Sequence, residues 1–173
     1  TKHGLFDRIL LKTKVAKVEE VKDGIKATLE DPNGKVTEEV FERVLVSVGR
    51  RPTGKDISAE KAGVTVTDRG FIPVDPQRRT NVPHIFAIGD VAGEPMLAHK
   101  ATYEGRIVAE VLAGEPSVYD VRAVPAVVFT DPEIAWCGLT ETEAAKEGRK
   151  VKVLKFPWAW SGRAMTLDRT EGL

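Results

Sequence analysis

The sequence predicts a fold of mixed α/β and α+β character, and three stretches carry that prediction. Ile25, Ala27 and Leu29 alternate with polar residues between two turn signals, as one half-buried antiparallel strand would. Residues 85–88 form an unbroken apolar run between Pro83 and Gly89, too short for a helix and suited to a strand covered on both faces of a parallel sheet. Residues 97–113 carry Leu97, Ala101, Gly105, Val108 and Leu112 at spacings of three and four, a single helical stripe.

Taken in order, residues 9–48 read as β. Strands are expected over about 9–20, 25–30 and 35–41, with Lys22-Asp23-Gly24 and Asp31-Pro32-Asn33-Gly34 as the turns. The apolar run 43–48 predicts a further strand ending at Gly49. Gly49-Arg50-Arg51-Pro52-Thr53-Gly54 is rich in Pro and Gly, as a crossing between domains would be. Its two arginines suit phosphate binding or, as ordinary surface, a solvated linker. A short helix over 58–62 should end at Gly63, followed by short strands over 64–67 and 71–74. The helix over 97–113 begins just past Pro95 and should stop at Gly114. Ala101 and Gly105 are small enough for its stripe to lie close against a sheet, with Lys100 and Glu104 along one edge at i,i+4 spacing. Residues 123–129 read as an apolar strand. Thr140 and Glu143 fit a capping box opening a helix over 141–147, stopped by Gly148. Residues 151–156 alternate like a strand, and Trp158 and Trp160 follow in a loop that suits either a partner surface or core packing.

Composition bounds the function classes. Length allows one or two domains, with 173 residues. Twenty-six basic and 26 acidic residues cancel, so there is no basic excess for nucleic acid or an anionic membrane surface. No apolar stretch approaches the roughly 20 residues of a membrane span. A single cysteine does not make a disulfide-stapled scaffold. Following Ala135-Trp136, Cys137 reads as a small buried apolar residue. His3 and His84 have no nearby Cys, Asp or Glu at metal-ligand spacing, so no metal site is assigned.

The most informative stretch is Thr80 to Asp90, TNVPHIFAIGD. A polar turn leads into a buried strand, and Gly89 then delivers Asp90 at its end. Ligands of open α/β sheets sit beyond the carboxyl ends of strands, where an Asp can meet a ligand hydroxyl. A plain turn or helix cap also satisfies strand-Gly-Asp.

The full string resembles the second FAD-binding motif of the pyridine nucleotide–disulfide oxidoreductases. Met96-Leu97-Ala98-His99-Lys100-Ala101 with Glu104-Gly105 is similar to the dihydrolipoamide dehydrogenase branch, as is Gly162-Arg163-Ala164 before Asp168. Val46-Ser47-Val48-Gly49-Arg50-Arg51-Pro52 upstream agrees, as do Phe129-Thr130-Asp131-Pro132-Glu133 and Gly138-Leu139-Thr140 downstream. The resemblance implies three parts: residues 1–52 as the end of an NAD-binding domain, 53–119 as the returning part of an FAD-binding domain, and 120–173 as the start of an α+β dimer-interface domain. It implies FAD and NAD as cofactors. Gly89 and Asp90 would meet the ribityl chain, Met96, Leu97, Ala98 and His99 the flavin through backbone, and Val15 and Gly49 the NAD. A helix N-terminus aimed at the flavin would stabilise its reduced, negatively charged form; the same helix start also suits packing alone.

The family's G-x-G-x-x-G fingerprints, C-x4-C pair and acid–base His-Glu pair are missing from these residues. The chain is therefore expected to be an internal segment of a longer, cytoplasmic, homodimeric flavoenzyme. Such an enzyme oxidises dihydrolipoamide on the lipoyl domain of a 2-oxo acid dehydrogenase complex. The segment contributes no catalytic residue and should be inactive alone; His99 is then a flavin-side helix residue. Another FAD-dependent disulfide reductase, a soluble transhydrogenase and a non-catalytic interaction domain stand as alternatives.

Overall fold

The computed structural model describes Gly4 and residues 6–173, so His3 lies outside the described residues. The chain forms two compact units, one ending at Gly49 and the other running from Arg50 to Leu173.

The first unit is an antiparallel meander of β1 (Lys14–Val21), β2 (Gly24–Glu30) and β3 (Val36–Phe41), in the order β1-β2-β3. Ala27 and Leu29 are buried on the central strand, following the predicted alternation. Both turns fall where expected. The Asp31 side chain accepts hydrogen bonds from the Asn33 and Lys35 amides, and Gly34 takes the left-handed conformation with φ +79°. The two amide bonds hold the Asp31 carboxyl below the usual carboxylate range. The first strand starts later than the predicted residue 9, because a turn with Lys12 at φ 54° interrupts the extended backbone. The expected strand over 43–48 does not form: no strand pairs with it among the described residues, and Leu45 and Val48 are 91% and 92% exposed. An apolar extended segment becomes a strand only with a neighbour to take its backbone hydrogen bonds.

In the second unit, the helix expected at 58–62 arrives as two 3-10 turns, Gly54–Ile57 and Ala59–Ala62, separated by Ser58 at φ 54° and closed by Gly63 at φ 75°. Residues 64–67 and 71–74 are not strands of a sheet. Their backbones are tied at single points, Thr67 N–H to Phe71 C=O at 2.8 Å and Ile72 N–H to Val91 C=O at 2.8 Å. Val64, Ile72 and Ala87 form the buried core here, with Val66, Val74, Val82, Ile85 and Val91 packed around them. The run 85–88 is likewise not a strand covered on both faces. It makes one antiparallel bridge, Phe86 to Arg79, and Ile88 is partly exposed, since no parallel neighbour flanks it among the described residues.

Helix α1 (Ala98–Leu112) matches the prediction to within a residue at each end, with Gly114 just beyond at φ +91°. Its buried face differs. Lys100, Glu104, Ile107 and Val111 are buried, whereas Leu112 of the predicted stripe is 69% exposed. The charged pair placed on an edge by sequence periodicity sits on the covered face, because Arg78 and the Gly89 backbone supply hydrogen-bond partners there.

Beyond it, β4 (Ala126–Val128) and β5 (Ile134–Trp136) make a two-stranded antiparallel ribbon. The expected strand at 123–129 is thus shorter, and β5 is an addition. Helix α2 (Glu141–Lys146) carries the predicted capping box, with Gly148 at φ 65° past its end. Residues 151–156 form no strand, and Val151, Val153, Leu154 and Phe156 are exposed, again for want of a paired neighbour. Trp158–Trp160 is a 3-10 turn, not a loop, with Phe156 and Trp160 in edge contact at 5.5 Å; α3 (Gly162–Thr166) follows. Cys137 is exposed, contrary to expectation, because it continues β5, whose three residues are all exposed. No helix among the described residues is long and apolar enough to cross a membrane, and no group of His, Cys, Asp and Glu there could hold a metal ion.

Candidate functional site

Chemistry-bearing side chains converge on the turn that follows Ile88. Extended backbone at Ile88 gives way to Gly89 at φ +76°, which opens a 3-10 turn over Gly89–Ala92. A Cβ at Gly89 would lie 3.1 Å from the Ala101 Cβ on α1, so this position needs both the freedom and the smallness of glycine.

Beneath the turn lies a buried ionic cluster. Glu104 is 1% exposed, Lys100 is buried beside it, and their side chains meet at 3.1 Å. The Glu104 carboxylate also accepts from Arg78 Nη1 at 3.2 Å and from the Gly89 amide at 2.6 Å. Lys100 Nζ donates to the Gly89 carbonyl at 3.1 Å. Both backbone polar groups of Gly89 are thus satisfied by side chains of α1, which stand in for a strand neighbour. The Arg78 guanidinium stacks on the Tyr119 ring at 4.3 Å from its centroid, and its Nε has no hydrogen-bond partner. Two cations against one carboxylate leave this cluster with one excess positive charge. Burial, with Glu104 nearby, pushes the Tyr119 phenol up from its ordinary value.

Asp90 itself is half-exposed. Its carboxylate forms an ion pair with Arg50 at 3.6 Å, beyond hydrogen-bonding distance, and therefore retains acceptor capacity for a ligand hydroxyl. Arg50 and Arg51 are both strongly exposed and pair with Asp90 and Asp56. Leu97, the N-cap of α1, is extended, its side chain supplies no cap, and the first turn holds no acidic residue. The amides and positive end of the dipole at this terminus are consequently not neutralised by the chain's own side chains. Met96 and Leu97 are half-buried, and Ala98 and His99 exposed. His99 Nε2 meets the Pro125 carbonyl at 2.7 Å; a carbonyl only accepts, so Nε2 carries the proton.

The structure therefore brings Gly89 and Asp90 together with the start of α1. Val15, on β1, and Gly49, at φ +108°, belong to the other unit. Sequence reasoning missed Lys100, Glu104 and Arg78 as parts of the site. The i,i+4 spacing of Lys100 and Glu104 was a legible signal, but their burial was not. An Asp acceptor with no hydrogen bond among the described residues, a Gly with no room for a Cβ and an uncapped helix start fit a polyhydroxylated cofactor with an anionic or electron-accepting ring.

Residues 7–105 match the family model described as pyridine nucleotide-disulphide oxidoreductase, and residues 124–173 match the dimerisation domain of the same family. The chain is 49% identical over 166 residues to a dihydrolipoyl dehydrogenase of Vibrio parahaemolyticus, covering 96% of this chain and 35% of that protein. A dihydrolipoyl dehydrogenase of Haemophilus influenzae is 51% identical over 168 residues, with 96% and 34% covered. Among solved structures, LpdA of Mycobacterium tuberculosis superposes with a TM-score of 0.75 at 27% identity, over 91% of this chain and 34% of that one. The HOCl-induced flavoprotein disulfide reductase RclA of Escherichia coli gives 0.76 at 27% identity, over 92% and 36%. The chain spans about a third of the length of the curated relatives it matches.

Proposed function

Since the chain belongs to the pyridine nucleotide-disulphide oxidoreductase family, we propose that it is a segment of an NAD-dependent, FAD-containing dihydrolipoyl dehydrogenase. The enzyme oxidises dihydrolipoamide, carried on the lipoyl domain of a 2-oxo acid dehydrogenase complex, to lipoamide; two electrons pass through a disulfide and FAD to NAD. Residues 1–52 belong to the NAD-binding domain, 53–119 to the FAD-binding domain and 120–173 to the interface domain of a homodimer. We place the enzyme in the cytoplasm, where a dithiol substrate stays reduced.

The observation that carries this reading is the Asp90 carboxylate, held on the 3-10 turn and, among the described residues, ion-paired at 3.6 Å with the exposed Arg50. Asp90 accepts a hydrogen bond from a ribityl hydroxyl of FAD. Gly89 keeps the backbone low enough for the cofactor to approach. Met96, Leu97, Ala98 and His99 present the uncapped start of α1, whose positive dipole end favours negative charge on the flavin ring. His99, tied to the Pro125 carbonyl, holds that helix start in place and transfers no proton. Val15 and Gly49 contact NAD. The segment supplies cofactor anchorage and no nucleophile, acid or base.

Asp90→Ala in the complete flavoprotein tests the reading. Loss of a charge-assisted hydrogen bond costs about 1.5–3 kcal/mol of FAD binding. Flavin retained after dialysis should fall against wild type; equal retention would show Asp90 to be a turn residue only.

A further inference from the structure

The geometry points to Lys100 and Glu104 as positioning residues for the flavin, acting on it through Gly89; we propose that this buried pair sets the direction in which Asp90 is presented. The inference rests on Asp90 binding FAD as described above.

A buried ion pair is a poor device for stability, since the desolvation of both charges offsets much of their attraction. This one is also unbalanced, because Arg78 adds a second cation with an unpartnered Nε. Its distinctive feature is what it grips. Glu104 takes the Gly89 N–H at 2.6 Å and Lys100 takes the Gly89 C=O at 3.1 Å. The N–H belongs to the peptide plane before Gly89, and the C=O to the plane shared with Asp90. Peptide planes are rigid, so holding one polar atom in each leaves Gly89 little of its usual φ/ψ freedom. The plane leading into Asp90 is then fixed, and with it the Asp90 N–Cα axis from which the carboxylate side chain departs. Without the pair, a glycine at φ +76° is the most easily reoriented residue of the segment. The short Glu104–Lys100 contact locks both ligating side chains to one α1 face, so the helix whose N-terminus faces the flavin also aims the carboxylate.

The test is a set of double-mutant cycles in the complete flavoprotein: Glu104→Gln and Lys100→Met, each alone and combined with Asp90→Ala. FAD affinity is read by equilibrium dialysis of the reconstituted apoprotein, and apoprotein folding by circular dichroism melting. Each single substitution should raise the FAD dissociation constant about tenfold. In the Asp90→Ala background, the same substitution should change it by less than about twofold, because residues that act through one contact do not add. Two cycles are run so that one folded variant suffices. Equal fold-changes in both backgrounds, or unchanged affinity in the singles, would overturn the inference while leaving Asp90 as the ribityl anchor. Should Asp90→Ala itself leave FAD affinity unchanged, the functional reading and this inference fall together.

Discussion

Two glycines face the same contact between α1 and the 85–89 segment, and alanine at each should have opposite effects. At Gly89 the backbone is left-handed, φ +76°, and an added Cβ would stand 3.1 Å from the Ala101 Cβ. The conformation alone costs an L-residue about 1–2 kcal/mol. Crowding adds about 1–3 kcal/mol, because the neighbour must yield a few tenths of an ångström. Ala101 cannot retreat easily: Lys100 and Glu104 on the same helix are hydrogen-bonded to the Gly89 backbone itself. Against this, alanine lowers the entropy of the unfolded chain by about 0.4–1 kcal/mol. The net expectation for Gly89→Ala is about 2–3 kcal/mol of destabilisation. Gly105 lies within α1, and its added Cβ would meet only the flexible tip of Ile88, Cδ1 at 3.4 Å. Gly105→Ala should therefore be neutral or stabilising, by up to about 1 kcal/mol, from helix propensity. Urea unfolding of both variants, freed of flavin and followed by circular dichroism, checks the pair. A Gly89→Ala protein as stable as its parent, or a Gly105→Ala protein equally damaged, would refute the reasoning.

Thr140→Ala should cost about 1 kcal/mol of helix α2 stability by removing the cap. The Thr140 amide, then its hydroxyl, holds the Glu143 carboxyl below its ordinary 4.5. That stabilisation is present in full above 4.5 and is lost as pH falls through the lower folded value; an acid titration of helicity should show this loss, and Thr140→Ala, which removes the hydroxyl and keeps the amide donor, should reduce it without abolishing it. Light scattering should find the complete enzyme to be a two-fold dimer, its interface including residues from 120–173; a strictly monomeric active enzyme would sink that assignment. Finally, purified chain 1–173 supplemented with FAD should show no NADH–lipoamide turnover above a buffer blank, since its single cysteine cannot cycle within one chain between dithiol and disulfide.

Local interactions were legible in the sequence. Asp31 and Gly34 built their turn, Thr140 and Glu143 their capping box, and Gly63, Gly114 and Gly148 ended helical segments where expected, because each depends on residues only a few positions apart. Helix α1 was readable for the same reason, and the string ending at Asp90 marked the turn around which the candidate site is built. Tertiary structure decided what depends on partners distant in the chain. Residues 43–48, 64–67, 85–88 and 151–156 have strand patterning, yet a strand exists only when another backbone takes its hydrogen bonds. The buried face of α1 was also a tertiary matter. Periodicity favoured Ala101, Gly105 and Leu112 over a lysine and a glutamate. The fold kept Ala101 and Gly105 half-buried against the 85–89 segment, exposed Leu112 and buried Lys100 and Glu104 most deeply, because Arg78 and the Gly89 backbone, up to 26 positions away, supply the partners that make a buried charge tolerable.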